Sequence, residues 1–555
     1  MRLDRVDRWL ALCLFVGTVV VVGVSAQSLG FTRDEGYYFK AGQLYAGWWQ
    51  ELASHPVTAL SSTSIDEHLA YNPEHPFLMK GSFALSWALD KALGQPFLQH
   101  NALRFPAWIA AGLSTLFVFL LGRQLLPRRG AVVAALCWIS VPHVFWHMHV
   151  ACFDVGVAAA HSALIWAYLR FRNSIRGAVV VGVVFGIAGA VKHNVLPIPA
   201  ILVLHWLLAE ATDRDGRIRL PVVFLSLAFI APVVYVVLWP YLWPDVGQRF
   251  GQYISFHLRH ENYPVLYFGD LLTKPPFPWL FPFVMSAVTV PAPVLALMGA
   301  GIVVAVVAVV SQLRHRLGPS RAELELTRVP LGRGPDVVSG NNALLLLLNA
   351  ALPFFLIALP STPIFGGTKH WMNGLPFLCV LGAWGLCESA ARLGLRDRAV
   401  VVVVVGLVLP GVLLSARVWP YGLGSYNELV GFSRGAANVG MQRTFWGYEA
   451  RAALGLINER TPRGGRIRFG DVNADSHRMY VADGLLRKDI GLATSVRSSS
   501  VAHVEPQGEF KQEQIDLWNE WQTRVPDVVL HAEGVPLSTV TFRSRATPSP
   551  APAPP

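Results

Sequence analysis

Charged residues are scarce in this sequence. Only 15% of its 555 residues are Asp, Glu, Lys or Arg, whereas 53% are hydrophobic, and the mean hydropathy is +0.42. Soluble globular proteins carry about 25% charged residues, so this chain has too few to cover a water-facing surface. The formal net charge is +11, but the cations lie in short clusters between apolar runs. That pattern indicates membrane topology and argues against a nucleic-acid partner.

Cysteine is also scarce, and the five residues form no CxxC pair. Cys13, Cys137, Cys379 and Cys387 fall within apolar runs, and Cys152 borders one. We therefore expect neither a disulfide framework nor a thiolate metal site. A glycine-rich nucleotide loop between a strand and a helix is also missing from the sequence pattern.

Eleven apolar runs are long enough, some only just, to cross a bilayer core of about 30 Å. They are 9–26, 102–122, 131–147, 154–169, 177–191, 195–209, 220–239, 283–310, 342–359, 371–390 and 399–416. The first run also has the residue order of a signal peptide, but cleavage would detach the acidic segment behind it, so we expect a retained span. The fifth and sixth runs are short, and they form either a full pair of spans or a re-entrant hairpin.

Arginine alternates between the two sides of this series. Arginine-rich segments precede the first run and follow runs two, four, six, eight and ten, while the short connections between them hold few cations. The positive-inside rule then places the N-terminus in the cytoplasm and the residues after Trp419 outside, and we expect an inner-membrane protein. The long external segments are 27–101, 240–282 and the C-terminal region, and 312–341 is a basic cytoplasmic loop.

These features predict an all-α polytopic membrane domain over 1–417, followed by a small extracytoplasmic α/β domain over 418–545. The predicted helix of the second domain is 448–459, and its predicted strands are 466–470, 527–531 and 537–542. The Pro/Ala-rich residues 546–555 are expected to be disordered.

Two adjacent carboxylates, Asp34 and Glu35, follow the first run directly. At a membrane interface, desolvation and mutual repulsion tend to raise the pKa of one of them, which suits a general base. The structural alternative is a solvated acidic loop or an ion pair with Arg33.

The same external segment carries His75 between two prolines, and Lys80 about one helical turn further on. Two prolines around an acid and an imidazole make a stiff polar turn. The alternative is an ordinary helix start at the interface.

Three further polar side chains, His147, His149 and Asp154, lie where the third run ends and the fourth begins. With Asp34 they form a candidate ligand set for a divalent metal. Because residues two apart point to opposite faces of a strand and diverge on a helix, both histidines bind one ion only in an irregular loop. Hydrogen bonding that orders the site is the alternative role.

Two basic positions lie at membrane depth: Lys192, between runs five and six, and Lys369 with His370, after Gly366-Gly367. Ionisable groups at such depth are costly and suggest function. An ammonium beside an apolar groove would bind a lipid phosphate as a point charge, whereas a lysine near a helix end can also simply snorkel to water.

The order of these elements resembles the GT-C membrane glycosyltransferases, specifically bacterial members of glycosyltransferase family 39, the protein O-mannosyltransferase and aminoarabinose-transferase group. The shared order is one span, an Asp-Glu pair, a His-Pro element ending in Lys, and an aspartate at the outer end of span four. The resemblance runs from about residue 9 to residue 450. Further similar segments are 239–243, 256–260, 267–269, 278–279 and 425–436.

The resemblance implies a role for each matching residue. Asp34 matches the catalytic base, and Lys80 ends the family's His-Pro-Pro-Leu-x-Lys element near the donor phosphate, although Phe77 replaces the second proline. The predicted site residues are Asp34, Glu35 and Asp154 for catalysis, Lys80, Lys192, Lys369 and His370 for the donor phosphate, and His75, His147 and His149 for shaping the site.

The implied reaction is inverting transfer of a sugar from a polyprenyl-phosphate donor to a hydroxyl of a protein, lipid or envelope glycan outside the cytoplasm. The leaving phosphate is already a stable anion, so no general acid is needed; no cofactor is required, and a divalent metal is possible. The competing hypotheses are a transporter or flippase with a midplane site at Lys192, and a scaffold that presents the C-terminal region. The sequence shows no two-fold repeat, and its ionisable residues gather on one face, which favours the enzyme.

Overall fold

The computed structural model describes residues 3–209, 220–259, 261–317 and 338–543, and helices dominate it. Most of the predicted cytoplasmic loop 312–341 and all of the predicted tail 546–555 lie outside the described residues.

The described part of the chain up to Val418 contains eighteen α-helices. They are α1 (Arg5–Ser25), α2 (Arg33–Ser54), α3 (Pro56–Ala59), α4 (Ser62–Leu69), α5 (Phe77–Ala92), α6 (Gln99–Leu125), α7 (Arg128–Ser140), α8 (Pro142–His147), α9 (Asp154–Phe171), α10 (Ile175–Val191), α11 (Ile198–Ala209), α12 (Val222–Val237), α13 (Val246–Leu258), α14 (Phe281–Thr289), α15 (Ala292–Leu317), α16 (Gly340–Ala358), α17 (Leu375–Arg392) and α18 (Asp397–Val418).

All eleven predicted apolar runs are helical, but they differ in length. Six helices of the described residues are long and apolar enough, by length and composition, to cross a membrane. These are Arg5–Ser28, Gln99–Leu125, Ala292–Arg314, Gly340–Ala358, Met372–Arg392 and Asp397–Val418. The other five runs form helices that fall short of that length or hydropathy, and the third is divided between α7 and α8 at Val141. The chain is therefore a multi-pass protein, with six spans supported directly.

The fifth and sixth runs form α10 and α11, which have different neighbours. Helix α10 packs mainly against α9 and α12, whereas α11 packs mainly against α16. The short turn His193–Val195 separates them. The two helices are therefore not a compact hairpin packed on itself.

The first external segment is largely helical, because α2 to α5 lie within it. Helix α2 begins at a capping box, in which the Thr32 hydroxyl accepts from the Glu35 amide and the Glu35 carboxylate accepts from the Thr32 amide. Such a reciprocal pair satisfies two amides that a helix start leaves free. Helix α5 begins directly after Pro76. Both helix starts thus fix residues that the sequence marked as functional.

The C-terminal region contains a five-stranded mixed sheet with the strand order β4-β3-β5-β7-β6. Strand β3 is parallel to β4 and β5, and β7 is antiparallel to β5 and β6. A separate hairpin of β1 and β2 precedes α14. The strands are β1 (Val265–Tyr267), β2 (Asp270–Leu272), β3 (Arg466–Phe469), β4 (Gly491–Leu492), β5 (Val501–Val504), β6 (Val528–Ala532) and β7 (Val535–Phe542). The helices of this region are α19 (Phe432–Asn438), α20 (Leu454–Arg460), α21 (Ala474–Ala482) and α22 (Lys511–Trp521).

Strands β3, β6 and β7 lie where the sequence predicted them. The predicted helix 448–459 is a 3-10 turn over Tyr448–Ala453 followed by α20. Helix α21 packs against α2 and α6, so the C-terminal region contacts the helices that carry the first external segment. This contact brings residues of the C-terminal region next to Asp34.

Candidate active site

Asp34 lies in the first turn of α2, held there by the Thr32 cap. Its Oδ2 accepts a hydrogen bond from Lys369 Nζ at 3.2 Å, and its side chain is 25% exposed. An ion-paired carboxylate that keeps a quarter of its surface open can still meet a substrate. Asp34 is therefore both ion-paired and partly open to solvent.

Lys369 is aimed at Asp34 by a turn of two glycines. Gly366 and Gly367 have φ values of 66° and 67°, a region that strains residues with a side chain. A Cβ on Gly366 would lie 2.5 Å from the Trp446 ring and 2.7 Å from Lys369 Cε. The ammonium itself lies 4.1 Å from the centroid of the Trp446 ring, and it is almost fully buried. The aromatic face thus holds a cation without neutralising it.

A second ion pair joins Asp154, at the start of α9, to Lys192, just after α10. Lys192 Nζ donates to Asp154 Oδ1 at 2.8 Å, and both side chains are less than a tenth exposed. Asp154 also lies close enough to Lys369 and Asp34 to interact with their charges. We call Asp34, Lys369, Asp154 and Lys192 the charge cluster. It brings together four predicted site residues from four separate segments.

Lys369 and Arg33 keep Asp34 ionised. Burial raises the pKa of Asp34, but the positive charges of Lys369 and Arg33 outweigh it, so the pKa lies below its usual value. The carboxylate is therefore charged at neutral pH and can accept a proton. A phosphate that bound Lys369 would compete with Asp34 for the ammonium and make the carboxylate more basic.

Glu35 has different surroundings from its neighbour. Its Oε1 accepts from Arg104 Nε at 2.7 Å and from the Ala151 amide at 2.8 Å. Its Oε2 accepts from Arg104 Nη2 at 2.7 Å and from the Thr32 amide. Both Glu35 and Arg104 are fully buried. This placement differs from the predicted catalytic role, because every carboxylate oxygen is engaged in holding the start of α2.

Lys80 and His75 lie beside the charge cluster. The Lys80 ammonium is buried and donates to the carbonyl oxygen of Asn72. His75 packs against the ring of Phe153, the residue before Asp154, with 4.7 Å between ring centroids. Burial lowers the pKa of His75, and the nearby charges of Lys192 and Lys80 lower it further. The predicted 72–80 element therefore brings a neutral imidazole, His75, next to the Asp154–Lys192 pair, and Lys80 lies within electrostatic reach of His75.

The predicted histidines lie in different surroundings. His147 is buried against the Trp446 ring, 5.7 Å between centroids, and faces the charge of Asp154. His149 Nε2 instead bonds Ser25 Oγ at 2.7 Å and its Nδ1 bonds the Phe145 carbonyl at 2.8 Å. The divergence expected for a His-x-His pair is present, so His149 does not join a ligand set with His147. His370 packs against Phe365, 4.6 Å between centroids.

The candidate metal set is not gathered in one place. Among the described residues, no three His, Cys, Asp or Glu side chains are grouped so that they could hold a metal ion. Metal dependence stays a prediction of the sequence, with Asp34, Asp154 and His147 as its remaining candidates.

Three residues that contribute to the site were not predicted from the sequence: Arg104, Trp446 and Asp471. Arg104 is a buried arginine in the second apolar run, and its depth was a signal that could have identified it. Trp446 and Asp471 belong to the C-terminal region, which the sequence gives no reason to join to Asp34. Only the fold brings them together.

Comparisons with known proteins agree with this architecture. A family model described as dolichyl-phosphate-mannose-protein mannosyltransferase matches residues 92–239, which include Asp154 and Lys192. The crystal structure of ArnT from Cupriavidus metallidurans in the apo state aligns with 98% of this chain and 100% of its own, at 14% identity and a TM-score of 0.51.

Two further solved structures match more weakly. ArnT from Cupriavidus metallidurans bound to undecaprenyl phosphate has 15% identity and a TM-score of 0.48, with 97% of this chain and 99% of that chain covered. The oligosaccharyltransferase of Archaeoglobus fulgidus with Zn and sulfate has 12% identity and a TM-score of 0.46, with 91% and 70% covered. No curated protein matches the sequence.

This chain is a multi-pass membrane protein that shares the GT-C fold of the ArnT structure, and the family model matches part of it. The resemblance predicted from the sequence is thereby confirmed.

Proposed function

We propose that this protein is an inverting glycosyltransferase that uses a polyprenyl-phosphate sugar and a hydroxyl acceptor on the non-cytoplasmic face of the inner membrane. The observation that carries the proposal is the contact of 3.2 Å between Asp34 and Lys369. A carboxylate that is 25% exposed and contacts a buried ammonium supports the proposed pairing of a base with a phosphate-binding cation. The description of the matching family, which names dolichyl-phosphate-mannose, supports a donor of this class.

In the proposed reaction, the acceptor oxygen attacks the anomeric carbon from the side opposite the phosphate. The new bond forms between that oxygen and the carbon, the bond from the carbon to the phosphate oxygen breaks, and the hydroxyl proton passes to the Asp34 carboxylate. The polyprenyl phosphate leaves with the electron pair. General base catalysis of this kind contributes about 100- to 10,000-fold to the rate.

Lys369 stabilises the charge that builds up on the leaving phosphate. Buried in contact with aromatic rings, its ammonium acts in a poorly hydrated environment, where a fixed charge is more effective than in water. Lys192 and Lys80 provide further positive charge. Lys192 is paired with Asp154 at 2.8 Å and Lys369 with Asp34 at 3.2 Å, so the phosphate competes with a carboxylate for either ammonium.

An apolar groove beside these cations fits the prenyl chain of the donor. It has a volume of about 570 Å³ and is lined by side chains of α5, α6, α9 and α10. Met79 and Val191 line it, and each directly precedes a predicted phosphate-binding lysine, Lys80 or Lys192. A lipid chain in the groove would therefore deliver its phosphate to the charge cluster.

The test is transfer of radiolabelled sugar from a purified polyprenyl-phosphate sugar by the protein in proteoliposomes. We expect Asp34→Asn to lower kcat by about 100- to 10,000-fold while the protein stays folded and membrane-embedded. Asp66→Asn is the control, since Asp66 is half exposed and pairs with Arg249 away from the charge cluster. Near-wild-type transfer by Asp34→Asn would eliminate the assignment.

Lys369→Ala should weaken donor binding by about tenfold to a hundredfold, the usual effect of losing a charged partner. Lys91→Ala is the matched control, because the Lys91 ammonium also lies over an aromatic ring, that of Trp87, but is not among the main charges that act on Asp34. Unchanged donor affinity in Lys369→Ala would mean that this lysine has only a structural role. Counterflow of lipid-linked sugar without transfer would instead support the transporter hypothesis.

A further inference from the structure

The C-terminal region forms hydrogen bonds with the segment that carries Asp34. Asn473 Nδ2 donates to the Arg33 carbonyl at 2.7 Å, and Ser476 Oγ donates to the Thr32 carbonyl at 3.2 Å. The approach is so close that a Cβ on Gly36 would lie 2.2 Å from the Asn473 side chain. The start of α2 is therefore fixed by the C-terminal region as well as by its own cap.

Arg33 has its ion pair in the C-terminal region and not with its neighbour Asp34. Its Nη1 donates to Asp471 Oδ1 at 3.0 Å, and its amide donates to the Trp446 carbonyl at 2.9 Å. The guanidinium also lies over the ring of Tyr263, 4.9 Å from the centroid. Asp34, by contrast, has its ion pair with Lys369. Two adjacent, oppositely charged residues thus have separate partners.

We propose that Asp471 is a positioning residue for transfer: it holds the Arg33 guanidinium away from Asp34, so that the carboxylate stays available to the acceptor hydroxyl. This inference rests on the proposed role of Asp34 as the base. It gives the C-terminal region a function in the reaction that goes beyond the presentation of a surface.

The need for such a restraint follows from charge. Arg33 follows Thr32 directly at the start of α2, and after Asp471 the carboxylates that act on its charge are Asp34 and then Glu509. An arginine released from Asp471 is therefore free to pair with the adjacent Asp34. An arginine paired with an aspartate lowers the carboxyl pKa by about 1 to 3 units, which makes the carboxylate a weaker base. A bidentate guanidinium would also occupy the oxygens that must face the hydroxyl. Lys369, in contrast, is drawn away by the donor phosphate.

The fold brings several charged side chains close to Asp34 and Asp471. Asp34 faces Arg33 on its own helix, Lys369 before α17 and Asp154 at the start of α9. Asp471 faces Arg33 and Asp34 across the interface. It also lies near three acidic side chains of its own region, Glu449, Glu505 and Glu509.

Asp471 is ionised only above mildly acidic pH. Burial raises its pKa to about 6, with the charge of Arg33 opposing the shift. The restraint on Arg33 is therefore complete at neutral pH and is lost as the pH falls through about 6. The wild-type profile of kcat/KM should decline on its acidic side in this range.

The experiment compares kcat and donor KM of the full-length wild-type protein with those of Asp471→Asn across pH. We expect kcat to fall about tenfold or more, and donor KM to change less than about threefold, because the donor cations are untouched. The decline near pH 6 should disappear, leaving a low plateau that extends to more acidic pH.

A double variant separates positioning from mere support of the fold. Arg33→Ala in the Asp471→Asn background removes the guanidinium that the aspartate restrains, so kcat should rise above that of Asp471→Asn alone. Asp475→Asn is the matched control: Asp475 accepts from the Tyr71 hydroxyl across the same interface but does not contact Arg33. It should behave as wild type.

Two results would overturn the inference. One is wild-type kcat and pH profile in Asp471→Asn; the other is a loss in Asp471→Asn that Arg33→Ala does not relieve. If Asp471→Asn does not fold, the single variant Arg33→Ala tests the inference. The inference requires Arg33→Ala to retain transfer and to lose the decline of activity near pH 6. Activity in Asp34→Asn would instead eliminate the proposed function, so the two failures are distinguishable.

Discussion

At the scale of single residues, two adjacent carboxylates have opposite roles. Glu35 is fully buried and bound by Arg104, whereas Asp34 is a quarter exposed and contacts Lys369. Removing one partner of a buried ion pair costs about 3 to 5 kcal/mol, because the other charge is left unpaired. The Glu35–Arg104 pair is therefore a strong anchor for the first turn of α2. The anchor in turn fixes the direction of the Asp34 side chain.

Lys80 should make donor binding depend on pH. Burial lowers the pKa of its ammonium to about 7, against the opposing charge of Glu74. Because only the protonated form attracts a phosphate, affinity is full below the pKa and is lost as the pH rises through it. We expect the donor dissociation constant to rise by up to about tenfold between about pH 7 and about pH 8. Isothermal titration with a polyprenyl-phosphate sugar in detergent measures it.

Lys80→Arg should flatten this dependence, since a guanidinium stays protonated throughout the range. Lys91→Arg, on the same helix but over the Trp87 ring, should keep the wild-type slope. Equal slopes in wild type and Lys80→Arg would show that another group titrates.

At the scale of elements, the turn at Gly366-Gly367 decides where Lys369 points. A Cβ at Gly366 meets both backbone strain at φ 66° and a contact of 2.5 Å with the Trp446 ring. We expect Gly366→Ala to displace the ring or the lysine and to weaken donor binding about tenfold, since such backbone strain alone costs about 1 to 3 kcal/mol. Donor titration and thermal unfolding of the purified variant measure the two effects.

Gly394→Ala provides the control for strain alone. Gly394 has φ 60°, but a Cβ there meets no atom within 4 Å. This variant should lose some stability and keep donor affinity. The same affinity loss in both variants would mean that the site responds to general destabilisation and not to the turn.

Hydropathy predicted the apolar helices but not the helices between them. All eleven runs are helical because long apolar segments in lipid must satisfy their backbone internally. Helix α2 was expected only as part of an external segment, although the Thr32–Glu35 capping pattern was visible in the sequence. For α5, a helix start after the two prolines was one of the two alternatives. Strands β4 and β5 were not predicted, since β4 has two residues and β5 is paired with distant parallel and antiparallel neighbours. Such pairing leaves little local signal.

At the scale of the whole molecule, the site is built from segments that are far apart in the chain. Asp34 and Lys369 are separated by 335 positions, and Arg33 and Asp471 by 438. The residue types and the family order predicted Asp34, Asp154, Lys192 and Lys369 as members of one site. No local pattern predicted which charges would pair. The sequence pattern also indicated that the C-terminal region is a separate domain. The contacts of Trp446 and Asp471 with the first external segment could therefore not be predicted.

The proposed site needs the C-terminal region and Asp34 on the same side of the membrane, and the arginine pattern predicts that this side is the outer one. Single cysteines at exposed positions test the orientation. Lys488→Cys lies in the C-terminal region, and Arg396→Cys lies in the connection before α18. In right-side-out vesicles, a membrane-impermeant maleimide should label Lys488→Cys directly and Arg396→Cys only after permeabilisation.

The wild-type protein serves as the blank, because its five cysteines lie in or beside helices of the predicted spans. Labelling of Arg396→Cys alone in intact vesicles would mean that the orientation in the membrane is the reverse of the predicted one. The charge cluster would then face the cytoplasm, where a donor on the outer leaflet could not reach Lys369. Labelling of both variants would mean that Lys488 and Arg396 lie on the same side of the membrane, so the alternation of sides that supports the span count would be wrong. The contact between Asp34 and the C-terminal region would not be affected by that result. Only labelling of Lys488→Cys alone agrees with an outer-leaflet donor whose phosphate reaches Lys369 beside the base.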